Sequence, residues 1–248
     1  MSILFYKHRG ETPKEALERL RAERPEFASE TLSYAGRLDP MAEGVLLVLV
    51  GDDENKRREE FLKLDKEYEF DVLWGVDTDT YDVLGKIVGE EIPAIYDKKE
   101  FAQMLEKYRG IYKQPYPPYS SQPVDGKPLF QWAREGKLAQ IDIPHREIDI
   151  KVLEHVCDRR IITADLQEYI LAGIACVEGD FRQEEIRAGW KEFFARYPST
   201  IFTYSTFRVR VTSGAYMRGL AHAFGAHLGC GACALRIVRK KVGSFEII

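Results

Sequence analysis

Asp39 is the first residue whose surroundings suggest chemistry. It stands between Leu38 and Pro40, shortly before a run of apolar residues. The following proline disfavours the helical region and holds Asp39 in an extended conformation, while Gly36 and Gly44 on either side permit the close approach of another chain segment. A carboxylate presented so rigidly suits a nucleophile or a base. The dipeptide alone, however, is more typical of an ordinary Asp-Pro turn.

Tyr68 and Arg218 are the other two candidates for catalysis. Residues 66–75 alternate between apolar and acidic side chains, which predicts a half-buried strand with Tyr68 on its inner face and Asp71 on its outer face. Arg218 would lie in the first turn of a helix, at a strand-to-helix junction of the kind where ligands often bind. Taken singly, the tyrosine is more typical of core packing and the arginine of a solvated helix.

A different chemistry is suggested by His222, His227, Cys230 and Cys233, which could form a Cys2His2 zinc site. That site would make the chain a zinc-dependent hydrolase or deaminase. The sequence contains a single Cys-x-x-Cys pair, which is a weak signal for zinc. Metal analysis of the purified protein separates this alternative from a reaction that needs no metal.

A small set of elements must position these candidates. Thr12 can cap a helix, Pro13 suits its first position and Glu15 can complete a capping box, which predicts a helix to about Glu23. The apolar run at residues 45–50 predicts a strand buried on both faces. Further helices are expected at 97–110, 129–134 and 216–229, and further strands near Ile87 and at 207–211.

Two segments stand apart in composition. Residues 113–128 contain five prolines and a glycine, which predicts an extended surface loop without regular structure. Residues 163–196 show a helical and acidic pattern, which we interpret as a helical layer inserted at about 158–199. The length suits one domain over residues 1–248 that carries this insertion.

The distribution of charge favours an anionic partner. The net charge is −4, but residues 201–245 contain seven basic residues and no acidic ones. Residues 1–200 contain 29 basic and 39 acidic residues, a net charge of −10. A basic strip of this kind can steer a nucleic acid to the protein, and the affinity should then fall steeply with salt.

The remaining composition predicts a soluble protein of the cytoplasm. Of the 248 residues, 45% are hydrophobic, which suffices for a substantial core. No apolar stretch is long enough to span a membrane, and the N-terminus lacks the features of a secretory signal. Four cysteines are too few for a disulfide framework, so reduced thiols are expected.

Four segments, in order, resemble motifs of the TruB family of tRNA pseudouridine synthases. Asp39 lies in the first segment, which resembles the family's catalytic motif, Tyr68 lies in the second and Arg218 in the fourth. Cys230 falls on a Gly-Cys-Gly-Ala motif of the fourth segment, where it needs no metal. The segments are GRLDPMAEGVLLVLVG, KEYEFDVLWGVDTDTYDVLGKI, KQPYPPYSSQPVDGKPLFQWAREG and SGAYMRGLAHAFGAHLGCGACALRIVRKKVGSF.

The resemblance implies a role for each candidate. Asp39 would attack the target nucleoside, Tyr68 would stack on the flipped uracil and take the proton from its C5, and Arg218 would pair with Asp39. An arginine beside the nucleophile would stabilise the charged carboxylate. No metal or organic cofactor is implied. The substrate-contacting residues expected from the resemblance are Tyr34, Gly36, Arg37, Leu38, Lys127, Tyr216, Ile237 and Arg239.

The same resemblance implies the fold and the substrate. The expected fold is the α+β pseudouridine synthase fold, a mixed and largely antiparallel sheet flanked by helices, with the active-site cleft across the sheet. The expected substrate is uridine 55 in the T loop of tRNA, recognised through the folded T arm by a monomer without a protein partner. Residues 113–127 and the helix that follows are the candidates for gripping the RNA.

The chain departs from the family pattern at three positions and at its end. Tyr34 stands where a histidine is usual, and Pro123 and Ser213 stand where lysines are usual, so fewer phosphate contacts are expected. The C-terminal PUA domain of many members is not expected after Ile248. These differences concern the RNA-binding surface more than the chemistry. A separate alternative is a non-catalytic tRNA-binding or tRNA-folding protein on the same fold, in which Asp39→Asn would change no activity; the presence of Asp39, Tyr68 and Arg218 weighs against it.

Overall fold

The computed structural model describes residues 1–246. The strands are β1 Ser2–Lys7, β2 Leu32–Tyr34, β3 Ala42–Val50, β4 Lys66–Trp74, β5 Val76–Thr78, β6 Ile87–Glu90, β7 Gly110–Pro115, β8 Pro123–Val124, β9 Lys127–Pro128, β10 His145–Ile162, β11 Ile201–Val211, β12 Ala232–Val242 and β13 Phe245–Glu246. The helices are α1 Pro13–Glu23, α2 Asp52–Lys56, α3 Arg58–Leu62, α4 Lys98–Tyr108, α5 Leu129–Arg134, α6 Thr163–Ala175, α7 Gln183–Arg196 and α8 Met217–Leu228.

The central sheet has the order β1-β3-β12-β4-β11-β10-β7. Its neighbouring strands are antiparallel, except that β3 runs parallel to β12, with Ala42 opposite Ile237. Helices α4 and α8 contribute to the core on one face of the sheet, and α6 and α7 to a second core. The predicted α+β class, with a mixed and largely antiparallel sheet, is confirmed.

Strand β4 lies in the middle of this sheet and is covered on both faces over its second half. Tyr68 and Phe70 face the core that includes α8, as the alternation predicts. Asp71, predicted on the outer face, is buried and accepts a hydrogen bond from the Thr206 hydroxyl at 2.7 Å. Leu73 packs against α6 and α7. The prediction that one face of the strand is exposed is wrong for its second half, because helices α6 and α7 cover the face that would otherwise meet water.

The predicted helices between residues 163 and 196 are present as α6 and α7, and we call them the α6–α7 layer. They connect β10 to β11, and residues 158–162 continue β10 rather than leave the sheet. Trp190 and Phe193 are fully buried in the second core. The Trp190 indole donates a hydrogen bond to the backbone oxygen of Val83 at 3.0 Å. The layer is therefore joined to the rest of the protein by a shared apolar core and by a buried hydrogen bond.

The proline-rich segment is more regular than predicted. Residues 110–115 form the edge strand β7, with Pro115 as its last residue, and proline is tolerated at such an edge position. Strands β8 and β9 form a small hairpin whose turn residues, Asp125 and Gly126, both have positive φ (49° and 78°). An Asp-Gly pair suits a two-residue hairpin turn of this kind. The predicted absence of regular structure is therefore wrong at both ends of the segment.

The predicted start and end of α1 are confirmed. The Thr12 side chain accepts from the backbone N–H of Glu15 at 3.3 Å, and the Glu15 carboxylate accepts from the Thr12 N–H at 2.5 Å. The helix runs to Glu23. Within residues 1–246, the helices fall short of the length and apolar character needed to cross a bilayer.

Candidate active site

The pairing of β3, β12 and β4 brings distant segments to one cleft. Asp39 lies shortly before β3, whose parallel pairing with β12 sets Ala42 opposite Ile237. On the other side of β12, Arg239 lies opposite Tyr68 of β4. Asp39, Tyr68 and Ile237 consequently line the same cleft.

Arg218 and Asp39 form an ion pair at the base of this cleft. Arg218 is the second residue of α8, after Tyr216 in an extended conformation at the helix start. Its Nε donates to Oδ2 of Asp39 at 2.8 Å. The Arg218 side chain is 4% exposed and that of Asp39 is 29% exposed. The buried cation thus supports a carboxylate that remains open to the cleft.

Two backbone carbonyls complete the contacts of Arg218. Its Nη1 donates to the oxygen of Thr80 at 2.7 Å, and its Nη2 donates to the oxygen of Tyr119 at 3.0 Å. Asp82 lies nearby, and burial raises its pKa to about 6 although the charge of Arg218 opposes this. A planar guanidinium with three acceptors in different directions is held in one orientation. The Asp39 carboxylate therefore meets a cation that is already in place.

Arg239 supports the chain on one side of Asp39. It is 1% exposed. Its Nε donates to the oxygen of Val45 at 2.7 Å, and Nη2 and Nη1 donate to the oxygens of Gly36 at 3.1 Å and Arg37 at 3.4 Å. Arg239 lines the cleft, as predicted for a substrate contact, but its Nη1 and Nη2 hold residues 36–41, which we call the Asp39 loop.

Lys7 supports the chain on the other side of Asp39, a role that no pattern in the sequence indicated. Its fully buried ammonium donates to the oxygens of Pro40 at 3.3 Å and Ala42 at 2.5 Å. Burial lowers its pKa to about 8. Since Lys7 and Arg239 bind backbone oxygens before and after Asp39, the nucleophile candidate is fixed from both sides.

The cleft has room for a nucleoside. The part that Tyr68 and Ile237 line, which we call the main part because it holds the predicted catalytic residues, has a volume of about 550 Å³, and an adjoining lobe of about 580 Å³ extends towards α7. Asp39 and Arg218 line both parts. Ser120 also lines the main part; its hydroxyl is buried and lacks a hydrogen-bond partner within residues 1–246. A buried hydroxyl without a partner is available to a ligand.

The basic residues of the 201–245 segment do not form one surface. Arg218 and Arg239 are buried. Arg208 lies on β11 across from Glu154 of β10, and their charged groups are 3.6 Å apart. Arg208 and Arg210 are both exposed on β11, as the alternation predicts. Carboxylates of Glu154 and Asp65 lie 3.6 and 3.4 Å from them, so the cations of this segment do not form one uninterrupted basic strip.

Other cations line the cleft instead. Arg37, Lys63 and Arg146 are exposed and lie around its mouth. The Arg146 side chain lies against Gly214, where a Cβ atom would come within 2.3 Å of the guanidinium. Arg37 comes from the Asp39 loop, whereas Lys63 and Arg146 belong to segments that the charge analysis did not single out. These residues give the cleft a cationic rim that suits an anionic ligand.

Of the residues predicted to contact substrate, Lys127 is the one placed outside both parts of the cleft. Its ammonium is 2.9 Å from the carboxylate of Glu135 and 3.6 Å from the centre of the Trp132 ring. The other predicted substrate contacts line the main part of the cleft, namely Tyr34, Gly36, Arg37, Leu38, Tyr216, Ile237 and Arg239.

The two histidines of the alternative zinc site have other partners, and its two cysteines are buried free thiols. His222 lies 3.2 Å from Asp77 through its Nδ1, and His227 lies 3.1 Å from the Lys107 ammonium. Cys233 is fully buried, and burial raises the pKa of its thiol. Across residues 1–246, no three His, Cys, Asp or Glu side chains converge as metal ligands. The geometry does not support a Cys2His2 site.

The family of the chain follows from its match to known proteins. Residues 24–181 match the family model described as TruB family pseudouridylate synthase (N terminal domain), and they include Asp39 and Tyr68. The chain belongs to the TruB family. Arg218 lies beyond the matched residues, and its contact with Asp39 is a finding of the structure.

Curated TruB-family relatives align with most of this chain. The tRNA pseudouridine synthase B of Thermosipho melanesiensis is 29% identical over 98% of the chain, and that of Azoarcus sp. is 32% identical over 86%. These alignments cover 64% and 56% of the respective relatives. The chain thus spans somewhat more than half of their length.

Solved structures agree with the TruB-family assignment at the level of the fold. A Cbf5-Nop10-Gar1 complex contains a chain that superposes with a TM-score of 0.57 at 18% identity. The superposition covers all of this chain and 50% of the other. A second similar structure, an H/ACA RNP bound to a substrate RNA containing 2'-deoxyuridine, gives a TM-score of 0.55 at 17% identity. The predicted pseudouridine synthase fold is confirmed.

Proposed function

We propose that this TruB-family protein is a pseudouridine synthase that converts uridine 55 in the T loop of tRNA to pseudouridine. The observation that carries the proposal is the Arg218–Asp39 pair, which presents an accessible carboxylate to a cleft that Tyr68 also lines. The TruB-family assignment supports isomerisation of uridine as the reaction that this arrangement carries out. We further propose that the protein acts as a monomer in the cytoplasm, without a cofactor.

The proposed reaction is an isomerisation within one nucleotide. The Asp39 carboxylate attacks ribose C1′ and displaces uracil N1, so that a bond from the Asp39 oxygen to C1′ replaces the C1′–N1 bond. The detached uracil anion turns, and its C5 then bonds to C1′ and displaces the Asp39 carboxylate, which is regenerated. We assign the proton that leaves C5 to the Tyr68 oxygen, while the hydroxyl proton of Tyr68 goes to N1. Arg218 keeps Asp39 oriented throughout.

The cleft suits a base that has left its stack. Tyr68 and Ile237 are 8% and 5% exposed, and together with Tyr216 they offer apolar surface to a uracil ring. Unstacking a base costs a few kcal/mol, which such contacts offset. The Ser120 hydroxyl can then pair with a polar edge of the base. We propose that the cationic rim contacts the phosphates of the T arm and that α5 and the segment before it grip the RNA.

Release of tritium from C5 tests the proposal. A T-arm stem–loop is labelled with tritium at C5 of its uracils and incubated with the wild type and with Asp39→Asn. Release by the wild type alone is expected. A second stem–loop in which cytidine replaces the uridine corresponding to position 55 should release none, which checks the position.

The opposite result favours a non-catalytic protein. Absence of release from both the stem–loop and whole tRNA, with the protein folded and bound to RNA, contradicts the proposal and indicates a tRNA-binding or tRNA-folding role. Circular dichroism and a binding assay on the same samples are the controls that make this result interpretable.

A further inference from the structure

Arg182, at the start of α7, makes an ion pair that the chemistry described above does not use. Its Nη1 and Nη2 donate to the two carboxylate oxygens of Asp79, at 2.6 and 3.2 Å. Its guanidinium also lies over the ring of Tyr119, with 4.1 Å between Cζ and the ring centre. The Arg182 and Asp79 side chains are 15% and 20% exposed. A partly buried, two-point pair of this kind is stronger and more directional than a surface ion pair.

The partners of Arg182 belong to the two segments that hold Arg218. Asp79 directly precedes Thr80, whose oxygen accepts from Nη1 of Arg218. Tyr119 itself provides the oxygen that accepts from Nη2. Arg182 therefore contacts the chain next to both backbone oxygens that hold Arg218. It binds Asp79, one residue before Thr80, and it stacks on Tyr119 itself.

The backbone of Arg182 and the surroundings of Asp79 indicate that the contact between them is well fixed. Arg182 has φ +63°, in the left-handed region that residues with a Cβ rarely adopt. Asp79 is braced on its own segment, where its Oδ1 accepts from the backbone N–H of Lys86 at 2.8 Å. Burial and the neighbouring Asp79 carboxylate raise the pKa of Tyr119 to about 12, so its phenol stays neutral. Strained backbone of this kind persists where the surroundings fix it.

We infer that Arg182 is a positioning residue for the reaction, which joins the Asp79–Thr80 segment to Tyr119 and thereby fixes the orientation of Arg218 towards Asp39. The inference rests on the proposed function. It gives the α6–α7 layer a role in catalysis, although its helices lie outside the main part of the cleft. Only an arginine can supply the two-point contact and the stacking together.

Two other roles for Arg182 make different predictions. Because Arg182 lines the adjoining lobe of the cleft, it could contact RNA, and its loss would then weaken binding and leave the chemical step unchanged. If it only stabilised the fold, its loss would lower the unfolding temperature and leave both binding and chemistry unchanged. Positioning differs from both, since it predicts a slower chemical step with RNA affinity retained.

The test is single-turnover tritium release at saturating enzyme, with RNA affinity and thermal unfolding measured in parallel. For Arg182→Ala we expect a rate lower by roughly ten- to a hundredfold, as for other small misplacements of reacting groups. Arg182→Lys keeps the positive charge but loses the two-point contact of the guanidinium. Its rate should lie between those of Arg182→Ala and the wild type. Adding Asp79→Asn to Arg182→Ala should cost little more, because coupled residues are not additive.

Arg196→Ala is the matched control. Arg196 lies at the other end of α7 and pairs with Glu90 at 2.6 Å, so its loss also removes an ion pair between this layer and the rest of the protein. Its chemical step should equal that of the wild type. If Arg182→Ala does not fold, the single-turnover rate of Arg182→Lys is compared with that of Arg196→Lys instead.

The outcomes separate the inference from the proposed function. A wild type without activity refutes the function. An active wild type together with Arg182 variants of unchanged single-turnover rate refutes the inference alone, whether their affinity or their stability has fallen. If Arg196→Ala slows the reaction as much as Arg182→Ala does, the inference is also refuted. The slower rate would then result from any weakening of the α6–α7 layer, and not from the loss of the Arg182 contacts.

Discussion

Arg218 and Asp39 are separated by 179 residues in the sequence, yet their side chains meet at 2.8 Å. The two members of the pair differ in environment, since the arginine is enclosed and the carboxylate faces the cleft. A charge buried without its partner is costly, so the fold must hold the arginine through its other acceptors whenever Asp39 engages a substrate. The oxygens of Thr80 and Tyr119 fulfil this need.

The first prediction concerns Arg218→Lys. A lysine keeps the charge but cannot reach Asp39 and two carbonyls in fixed directions, so we expect the rate of tritium release to fall by about a hundredfold. An unpaired buried carbonyl should lower the free energy of unfolding by about 1–3 kcal/mol. Urea unfolding measures the second effect. Arg187→Lys, on the exposed surface of α7, should change neither quantity, and a wild-type rate in Arg218→Lys would contradict the assigned role.

The second prediction concerns Tyr68→Phe. Phenylalanine preserves the buried ring and its stacking surface, while the oxygen that receives the C5 proton is lost. We expect a single-turnover rate lower by about 10²–10⁴, the range found for proton transfer by a positioned group, with RNA affinity retained. Tyr6→Phe removes a hydroxyl from an exposed tyrosine of β1 outside the cleft and should remain near the wild-type rate. Equal losses in the two variants would argue against a proton-transfer role for Tyr68.

The third prediction concerns the pH dependence contributed by Asp82. Its pKa is raised from 3.8 to about 6, so the folded protein binds the proton more tightly than the unfolded chain does. The stabilisation from this proton is complete below the unfolded pKa and is lost as the pH rises through about 6, a loss of about 3 kcal/mol.

Asp82→Asn removes this dependence because an amide does not titrate in the range. Its oxygen can still accept from the Thr80 hydroxyl and the Leu84 N–H, as Asp82 does at 2.8 and 3.0 Å. Urea unfolding across about pH 4 to 7 should show the variant gaining stability relative to wild type as the pH rises. A difference that is constant with pH would refute the assignment of this titration to Asp82.

The fourth prediction concerns the salt dependence of RNA binding. If Arg37 and Arg146 contact phosphates, each change to alanine should reduce the slope of log affinity against log salt concentration by about 1. Arg208 faces Glu154 instead, so Arg208→Ala should leave the slope unchanged. Fluorescence anisotropy of a labelled stem–loop over a series of salt concentrations measures all three. A slope that responds to Arg208 alone would restore the basic strip as the RNA surface.

Local signals in the sequence predicted the elements around the site with good accuracy. The capping box of α1 and the buried run of β3 depend on residues a few positions apart, and both are confirmed. The alternation in β4 placed Tyr68 correctly and failed at Asp71, because burial there depends on helices encoded about a hundred residues later. The Asp-Gly hairpin turn was a local signal that the prolines obscured.

The sequence by itself determined the candidates for chemistry, since the type of a residue and its immediate neighbours fix what a side chain can do and how rigidly its backbone is held. The tertiary structure decided which of them meet. Strand register brought Tyr68, Ile237 and Asp39 to one cleft. The folded chain also leaves most of the cations of residues 201–245 buried or paired with carboxylates. Contacts between residues distant in sequence arise from packing and strand pairing, which no short-range pattern encodes. The contacts of Arg182 and Lys7 are of this kind.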